Sequence, residues 1–251
     1  MKRIGEIAVA VLGLLILSPL LAVIALVIWT EDRRSPWFLG VRAARGGGSF
    51  RMIKFRSMHP DAWKTGVNST AVDDLRITRA GAWLRRSKLD ELPQLWNVLR
   101  GEMSLVGPRP QVHADAALYT QEEQRMLAVR PGITDLASVV FADESEILKG
   151  SADPDLLYNQ IIRPWKSRLA LLYLEHQSVW IDLRIVWLTA LVLISRRRAL
   201  AGVQSILKTW GSDPLVQEIA RRDGPLLAYP PPGAREIVSV HRVQCHWVKS
   251  A

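Results

Sequence analysis

Trp83-Leu-Arg-Arg-Ser-Lys-Leu-Asp-Glu-Leu-Pro-Gln-Leu-Trp-Asn-Val-Leu-Arg-Gly-Glu-Met-Ser-Leu-Val-Gly-Pro-Arg-Pro110 places two adjacent carboxylates, Asp90 and Glu91, after a basic cluster and before an apolar periodic segment. Leu92, Leu95, Trp96 and Leu99 fall at i, i+3, i+4 and i+7, which predicts one buried helical face. Pro93 lacks an amide hydrogen and suits only a first turn, so the helix is expected to begin near Asp90. Gly101 is its natural stop. Asp90 would then stand near an N-cap, where free N–H groups and the positive helix end attract anions. Arg85, Arg86 and Lys88 add cationic charge upstream, and Arg109 offers a bidentate phosphate ligand on a proline-stiffened loop. Carboxylates among phosphate-binding groups point to chemistry on a phosphate with a divalent metal between them. Plain helix capping by the Asp-Glu pair is the competing reading.

A chain of 251 residues can bury one good core, or one core plus a tail. The net charge of +9 fits an acidic partner: nucleic acid, anionic lipid or a phosphorylated substrate. Trp supplies 10 of the aromatic residues, against 4 Tyr and 4 Phe, a bias that favours membrane–water interfaces. The single cysteine, Cys245, excludes an internal disulfide and fits a reducing compartment. With it and five scattered histidines, no Cys/His zinc pattern is present.

Ile7 to Trp29 carries no charged residue. As a helix it is about 34 Å long, enough to cross a hydrocarbon core of roughly 30 Å. Ser18-Pro19 interrupts it midway: proline removes one helix hydrogen bond, and the serine hydroxyl can satisfy a freed carbonyl. Lys2-Arg3 and Arg33-Arg34 make both flanks basic, so the positive-inside tendency favours neither orientation. A spanning helix and a re-entrant hairpin with both ends in the cytoplasm stand level on these features.

Further along, Phe50 to Met58 alternates and predicts a short strand, in a hairpin with residues 36–42, that sends Lys54 and Arg56 to one side. Helices are expected over 78–89, 121–129 and 153–173, the last interrupted near Pro164. Residues 179–194 are very apolar, yet the uncharged part, Ile185 to Ile194, is too short to span. Trp180, Trp187 and Arg196-Arg-Arg198 suit a helix in the membrane interface, with a core helix as the alternative. Residues 199–251 read as a peripheral extension, with one more helix over 199–222.

These residues together resemble the bacterial sugar transferases of the monotopic phosphoglycosyl transferase family. The resemblance runs from Lys2 to about Arg198. It rests on Ser18-Pro19, Lys54-Phe-Arg-Ser-Met58, Arg76 to Arg86, Leu89-Asp-Glu-Leu-Pro-Gln-Leu-Trp-Asn97, Ser104-Leu-Val-Gly-Pro-Arg-Pro110 and Arg130-Pro-Gly-Ile-Thr134. It implies transfer of a sugar 1-phosphate from a UDP-sugar to a polyprenol phosphate, on the cytoplasmic face of the bacterial inner membrane and with Mg²⁺. It also implies the small, catalytic-core form and decides for the re-entrant helix.

Carried onto this sequence, Asp90 is the expected nucleophile and Glu91, beside it, the Mg²⁺ ligand. Neighbouring side chains on a helix point about 100° apart, which suits different roles. Lys54, Arg56, Arg85, Arg109 and Arg130 are the expected phosphate ligands. The expected fold is α+β and mostly helical: a re-entrant membrane helix (1–34), a cytoplasmic-face catalytic domain with a short β-hairpin and interfacial helices (35–198), and the extension (199–251). The expected partners are the UDP-sugar, the polyprenol phosphate and membrane lipids, with no nucleic acid; a homodimer is left open.

Three stretches depart from the family's usual pattern: Ile4-Gly5-Glu6, Gly40-Val-Arg-Ala-Ala44, and Asp135-Leu136 in place of Gly-Trp. The last is expected to line the donor site and bear on the sugar. A nucleic-acid binder and a non-catalytic basic membrane scaffold are the competing functions. No recognition helix or RNA-binding motif supports the first, and the second would make Asp90-Glu91 a plain cap.

Overall fold

The computed structural model describes residues 2–239, so Cys245 lies outside the described residues. Helix α1 (Lys2–Asp32) continues through Pro19. Proline offers no N–H to the Leu15 carbonyl, and Ser18 Oγ donates to that carbonyl at 2.8 Å. By length and composition α1 could cross a membrane. Glu6, Ala10, Ile24 and Ile28 form its buried face, and much of the remainder is exposed and apolar. Both ends rest on the same body. Lys2 Nζ meets Asp182 at 2.8 Å, Arg3 donates to the carbonyls of Val98 and Met103, and Asp32 holds Arg56.

The expected hairpin is present: β1 (Trp37–Ala43) pairs antiparallel with β2 (Ser49–Phe55). Alternation buries Phe50 and Met52 against Ala10, Val98 and Met103. Helix α2 (Arg79–Ser87) follows a Thr78 N-cap, whose side chain accepts from the Gly81 amide at 3.0 Å. Lys88, at φ 57°, ends α2 in the left-handed region.

The chain then makes a 3₁₀ turn over Leu89–Glu91 before α3 (Gln94–Arg100). The helix therefore starts later than Asp90. The amides of Glu91 and Leu92 are taken by the Lys88 and Leu89 carbonyls, so they offer no N-terminal anion site. The buried face is met in part. Leu95 and Leu99 pack on the hairpin core as predicted, but Trp96 is 48% exposed and Gln94, Asn97 and Val98 are the buried residues of the helix. Polar side chains face inward here because the backbone of β2 needs partners: Asn97 accepts from the Ile53 amide at 2.9 Å and donates to the Arg51 carbonyl at 2.8 Å. Gly101, at φ 82°, ends α3 as expected.

Two three-residue strands, β3 (Ser104–Val106) and β4 (Gly132–Thr134), pair in parallel. They are too short to show alternation, and sequence reading missed them. The expected helix over 121–129 is a 3₁₀ segment, Glu123–Ala128. The short helices α4 (His113–Ala116), α5 (Leu136–Val140), α6 (Glu144–Ile147) and α7 (Pro154–Leu157) lead into a π-helical stretch, Tyr158–Ile162. Long helix α8 (Arg163–His176) follows directly, so the interruption expected near Pro164 takes the form of a π-helix. Pro164 has no N–H for the Gln160 carbonyl, which accepts instead from Tyr229 at 3.0 Å.

Helix α9 (Val179–Ile194) buries Ile185 and Leu188 and leaves Trp180, Trp187 and Ile194 exposed. It is thus a core helix on one face and an apolar surface on the other. The expected peripheral extension is corrected at its start. Position 199 falls inside α10 (Arg196–Thr209), and Ala199, Val203, Ile206 and Leu207 are completely buried in the main core. The single helix expected over 199–222 is two, α10 and α11 (Pro214–Arg221), and α11 adds Val216 and Ala220 to the same core. Regular small-apolar spacing after three arginines hid a core helix behind a basic start.

Candidate active site

Asp90 shares a cavity wall with residues of β2 and α2 and with residues of α6 and α8. The cavity, of about 310 Å³, is lined by Lys54, Arg85, Asp90 and Arg109 among others. Asp90 is 5% exposed. Its carboxylate makes no hydrogen bond or ion pair among the described residues. Burial pushes the Asp90 carboxyl above the ordinary range, and Lys54 opposes the shift.

Glu91 has the opposite surroundings. Lys54 Nζ reaches its Oε1 at 2.9 Å, and Arg109 grips both carboxylate oxygens, Nη1 to Oε2 at 3.1 Å. Burial alone would raise the Glu91 carboxyl, but Arg109 and Lys54 outweigh it and hold the group well below the usual range. Burial also lowers Lys54, with Glu91 working against that shift. One carboxylate is thus locked in a cationic clamp while its neighbour faces the cavity unpartnered. The two neighbouring carboxylates do have different surroundings, and they sit on a 3₁₀ turn rather than the expected helix.

Glu91→Gln is expected to cost about 3 kcal/mol of stability, since it leaves two partly buried cations without their counter-charge. The sign with pH follows from the lowered carboxyl. The stabilisation is present above the unfolded Glu pKa of about 4.3 and is lost as pH falls through the folded value. Melting curves of both proteins should converge on acidification; a constant gap would show that the clamp is not electrostatic.

The other expected phosphate ligands separate. Arg85 lines the cavity. Arg56 touches it as well, but its guanidinium is occupied by Asp32, at 2.6 and 2.7 Å, and by the Ser35 carbonyl at 2.8 Å. It ties the end of α1 to the hairpin. Arg130 lies away from the cavity and donates through Nε to the Gly101 carbonyl at 2.9 Å. Asp135 caps α5, accepting from the Ser138 amide at 2.6 Å, and does not line the Asp90 cavity.

Residues 60–75 read from sequence as a loop, and the loop is present along one side of the cavity, but the charged residues that hold it were not foreseen. Asp155 accepts from the amides of Asn68, at 3.1 Å, and Ser69, at 2.6 Å. Arg76 spans the same loop, donating to the carbonyls of Val67 and Ser69. A charged residue inside an irregular segment was the available signal, because a bare loop backbone needs such a partner.

The described residues thus bring a largely buried carboxylate pair together with lysine and arginine, in a fold that carries one long apolar helix. The chain belongs to the bacterial sugar transferase family, which matches residues 1–196. It is 38% identical over 195 residues to the undecaprenyl-phosphate glucose phosphotransferase of Komagataeibacter xylinus, covering 75% of this chain and 35% of that protein. It is 36% identical over 201 residues to the UDP-glucose:undecaprenyl-phosphate glucose-1-phosphate transferase of Caulobacter vibrioides, covering 79% and 71%. A third relative, the UDP-N-acetylgalactosamine-undecaprenyl-phosphate N-acetylgalactosaminephosphotransferase of Aeromonas hydrophila, is 32% identical over 199 residues, covering 77% and 44%. The matched region spans less than half the length of two of these relatives, 35% and 44%.

Proposed function

We propose that the protein transfers a sugar 1-phosphate from a UDP-sugar to a polyprenol phosphate and releases UMP. The observation that carries this reading is the unpartnered, buried Asp90 carboxylate in the cavity that Lys54, Arg85 and Arg109 line, next to a Glu91 already committed to Lys54 and Arg109. In the first step an Asp90 oxygen bonds to the β-phosphorus as the bond from that phosphorus to the UMP oxygen breaks. In the second step a phosphate oxygen of the lipid attacks the same phosphorus, and Asp90 leaves as carboxylate. Lys54, Arg85 and Arg109 hold the phosphates and offset the charge that builds on them. A covalent intermediate lets a water-soluble donor and a lipid acceptor use one site in turn.

The donor set also fits Mg²⁺, which binds through one or two carboxylates plus substrate phosphates. Asp90 would hold it, Glu91 would join only on release from Lys54 and Arg109, and the ion would neutralise charge on the diphosphate. No cluster of three His, Cys, Asp or Glu side chains suited to a metal occurs among the described residues, so phosphate oxygens and water would complete its shell.

A re-entrant α1 at the cytoplasmic face of the inner membrane belongs to the same reading. It is supported by α1 having both ends, Lys2 and Asp32, bonded to one body. A helix crossing the bilayer would carry those ends to opposite sides.

The test is UMP release by detergent-solubilised protein given a panel of UDP-sugars, undecaprenyl phosphate and Mg²⁺, with and without EDTA. Sustained release that needs both lipid and metal is expected, with at most one UMP per protein released without lipid as the covalent intermediate forms. Sustained lipid-independent release would instead indicate a hydrolase, and release unchanged by EDTA would remove the metal from the reading.

A further inference from the structure

The cavity is lined by two kinds of polar group. Lys54, Arg85 and Arg109 line it with Asp90, and Glu144 from α6 and Lys166 from α8 line it as well. Lys166 Nζ is hydrogen-bonded to Glu144 Oε2. Glu144 Oε1 makes no hydrogen bond among the described residues, and the side chain remains 31% exposed. The ring of Tyr158, also in the cavity wall, lies 5.4 Å from Lys166 Nζ. The main core holds this wall in place, for Tyr158, Ile162 and Trp165 are all buried within it.

A carboxylate repels phosphate, so Glu144 is misplaced as part of a diphosphate grip. A carboxylate acceptor beside an ammonium donor, next to an aromatic face, instead suits a neutral ligand rich in hydroxyls. Hydroxyl groups can donate to Oε1 and accept from Nζ while the ring covers a C–H face. Asp135, the position expected from sequence to bear on the sugar, caps α5 and lines a smaller pocket that adjoins this one along Tyr158 and Lys166. Resting on the transferase reading, we propose that Glu144 and Lys166, with Tyr158, form the hydroxyl-recognising subsite for the donor and distinguish one hexose from another. Sugar and ribose share this diol chemistry, and the measurements below separate them.

The experiment measures affinity by calorimetry on full-length, detergent-solubilised protein carrying Asp90→Asn, which prevents turnover. The ligands are UDP-glucose, UDP-galactose, UDP-N-acetylgalactosamine, UDP and uridine-free glucose 1-phosphate. Glu144→Gln is expected to weaken the preferred UDP-hexose about tenfold, to compress the preference among the three donors, and to leave UDP within about twofold. Glucose 1-phosphate should weaken in parallel if glucose is the preferred sugar. Equal weakening of UDP and UDP-hexose would overturn the proposal and assign the wall to ribose. Unchanged affinities for every ligand would overturn it too.

Glu144→Gln leaves Lys166 unpaired, so the double variant Glu144→Gln/Lys166→Met serves as a folding control, with both charges removed. It should melt near the parent and still lose the hexose preference. Wild-type protein that binds UDP-hexose through Glu144 yet releases no UMP with lipid would sink the transferase reading and leave the subsite standing.

Discussion

Asp90→Asn is expected to reduce turnover by about 10³-fold or more while the protein stays folded and bound to membranes. The amide keeps the shape of the carboxyl but cannot form the bond to phosphorus. Helix α1, which carries the exposed apolar surface, has no hydrogen bond to Asp90 and should be unaffected. The same substitution should raise the melting temperature at neutral pH, because wild type holds an ionised, buried and unpartnered carboxylate there. The sign follows from the raised carboxyl. Wild type is most stable below the unfolded Asp pKa of about 3.9 and loses that advantage as pH rises through the folded value. The benefit of Asn should therefore grow with pH, whereas the Glu91→Gln deficit grows from its own, lower, range. Wild-type turnover should also fall on the acid side at a pH above the ordinary carboxylate range. UMP release against pH, paired with melting curves of both proteins, checks all three. Residual activity above about 1% in Asp90→Asn would remove the nucleophile assignment.

Gly132→Ala is expected to be among the most damaging changes to the fold, at about 4 kcal/mol or more. A Cβ on Gly132 would stand 2.1 Å from the Gly107 backbone nitrogen and 2.4 Å from its carbonyl oxygen. Neither atom can rotate away, so β3 and β4 must separate. That movement reaches the site. The Gly132 amide donates to the Pro108 carbonyl at 2.9 Å, and the Gly107 amide to the Thr134 carbonyl at 3.0 Å. Those bonds hold the turn that presents Arg109 to Glu91, so activity should fall with stability. Gly5→Ala is the matched control: nothing lies within 4 Å of its Cβ, and alanine in a helix should be neutral or stabilising by about 0.5–1 kcal/mol. Urea melts of the two variants, read beside UMP release, make the comparison. A Gly132→Ala protein with wild-type stability would mean the two strands are not packed as described.

Local features were legible in the sequence because their causes are local. A helix formed within the predicted 78–89, Ser18 bonded the carbonyl freed by Pro19, the alternation of Phe50 and Met52 built the hairpin, and Gly101 stopped α3. The order of motifs also sufficed to place the chain in its family, which matches residues 1–196. On α3, Leu95 and Leu99 pack as the periodicity predicted, but burial of Asn97 was missed because periodicity counts apolar residues and cannot see that β2 needs it. The core role of α10 was missed for a related reason, since burial depends on what else packs there.

The site divides along the same line. Its position, at Asp90-Glu91 with basic residues before and Arg109 after, was written in one continuous stretch. Which cations serve it was not. Arg56 is drawn off by Asp32 across 24 residues, Arg130 by the Gly101 carbonyl across 29, and Lys166 meets Glu144 across 22. The sequence alone determined that carboxylates and cations would gather beside an apolar helix. The tertiary structure decided which carboxylate is clamped and which stays open, because each charge takes the partner nearest in space after the backbone has placed them.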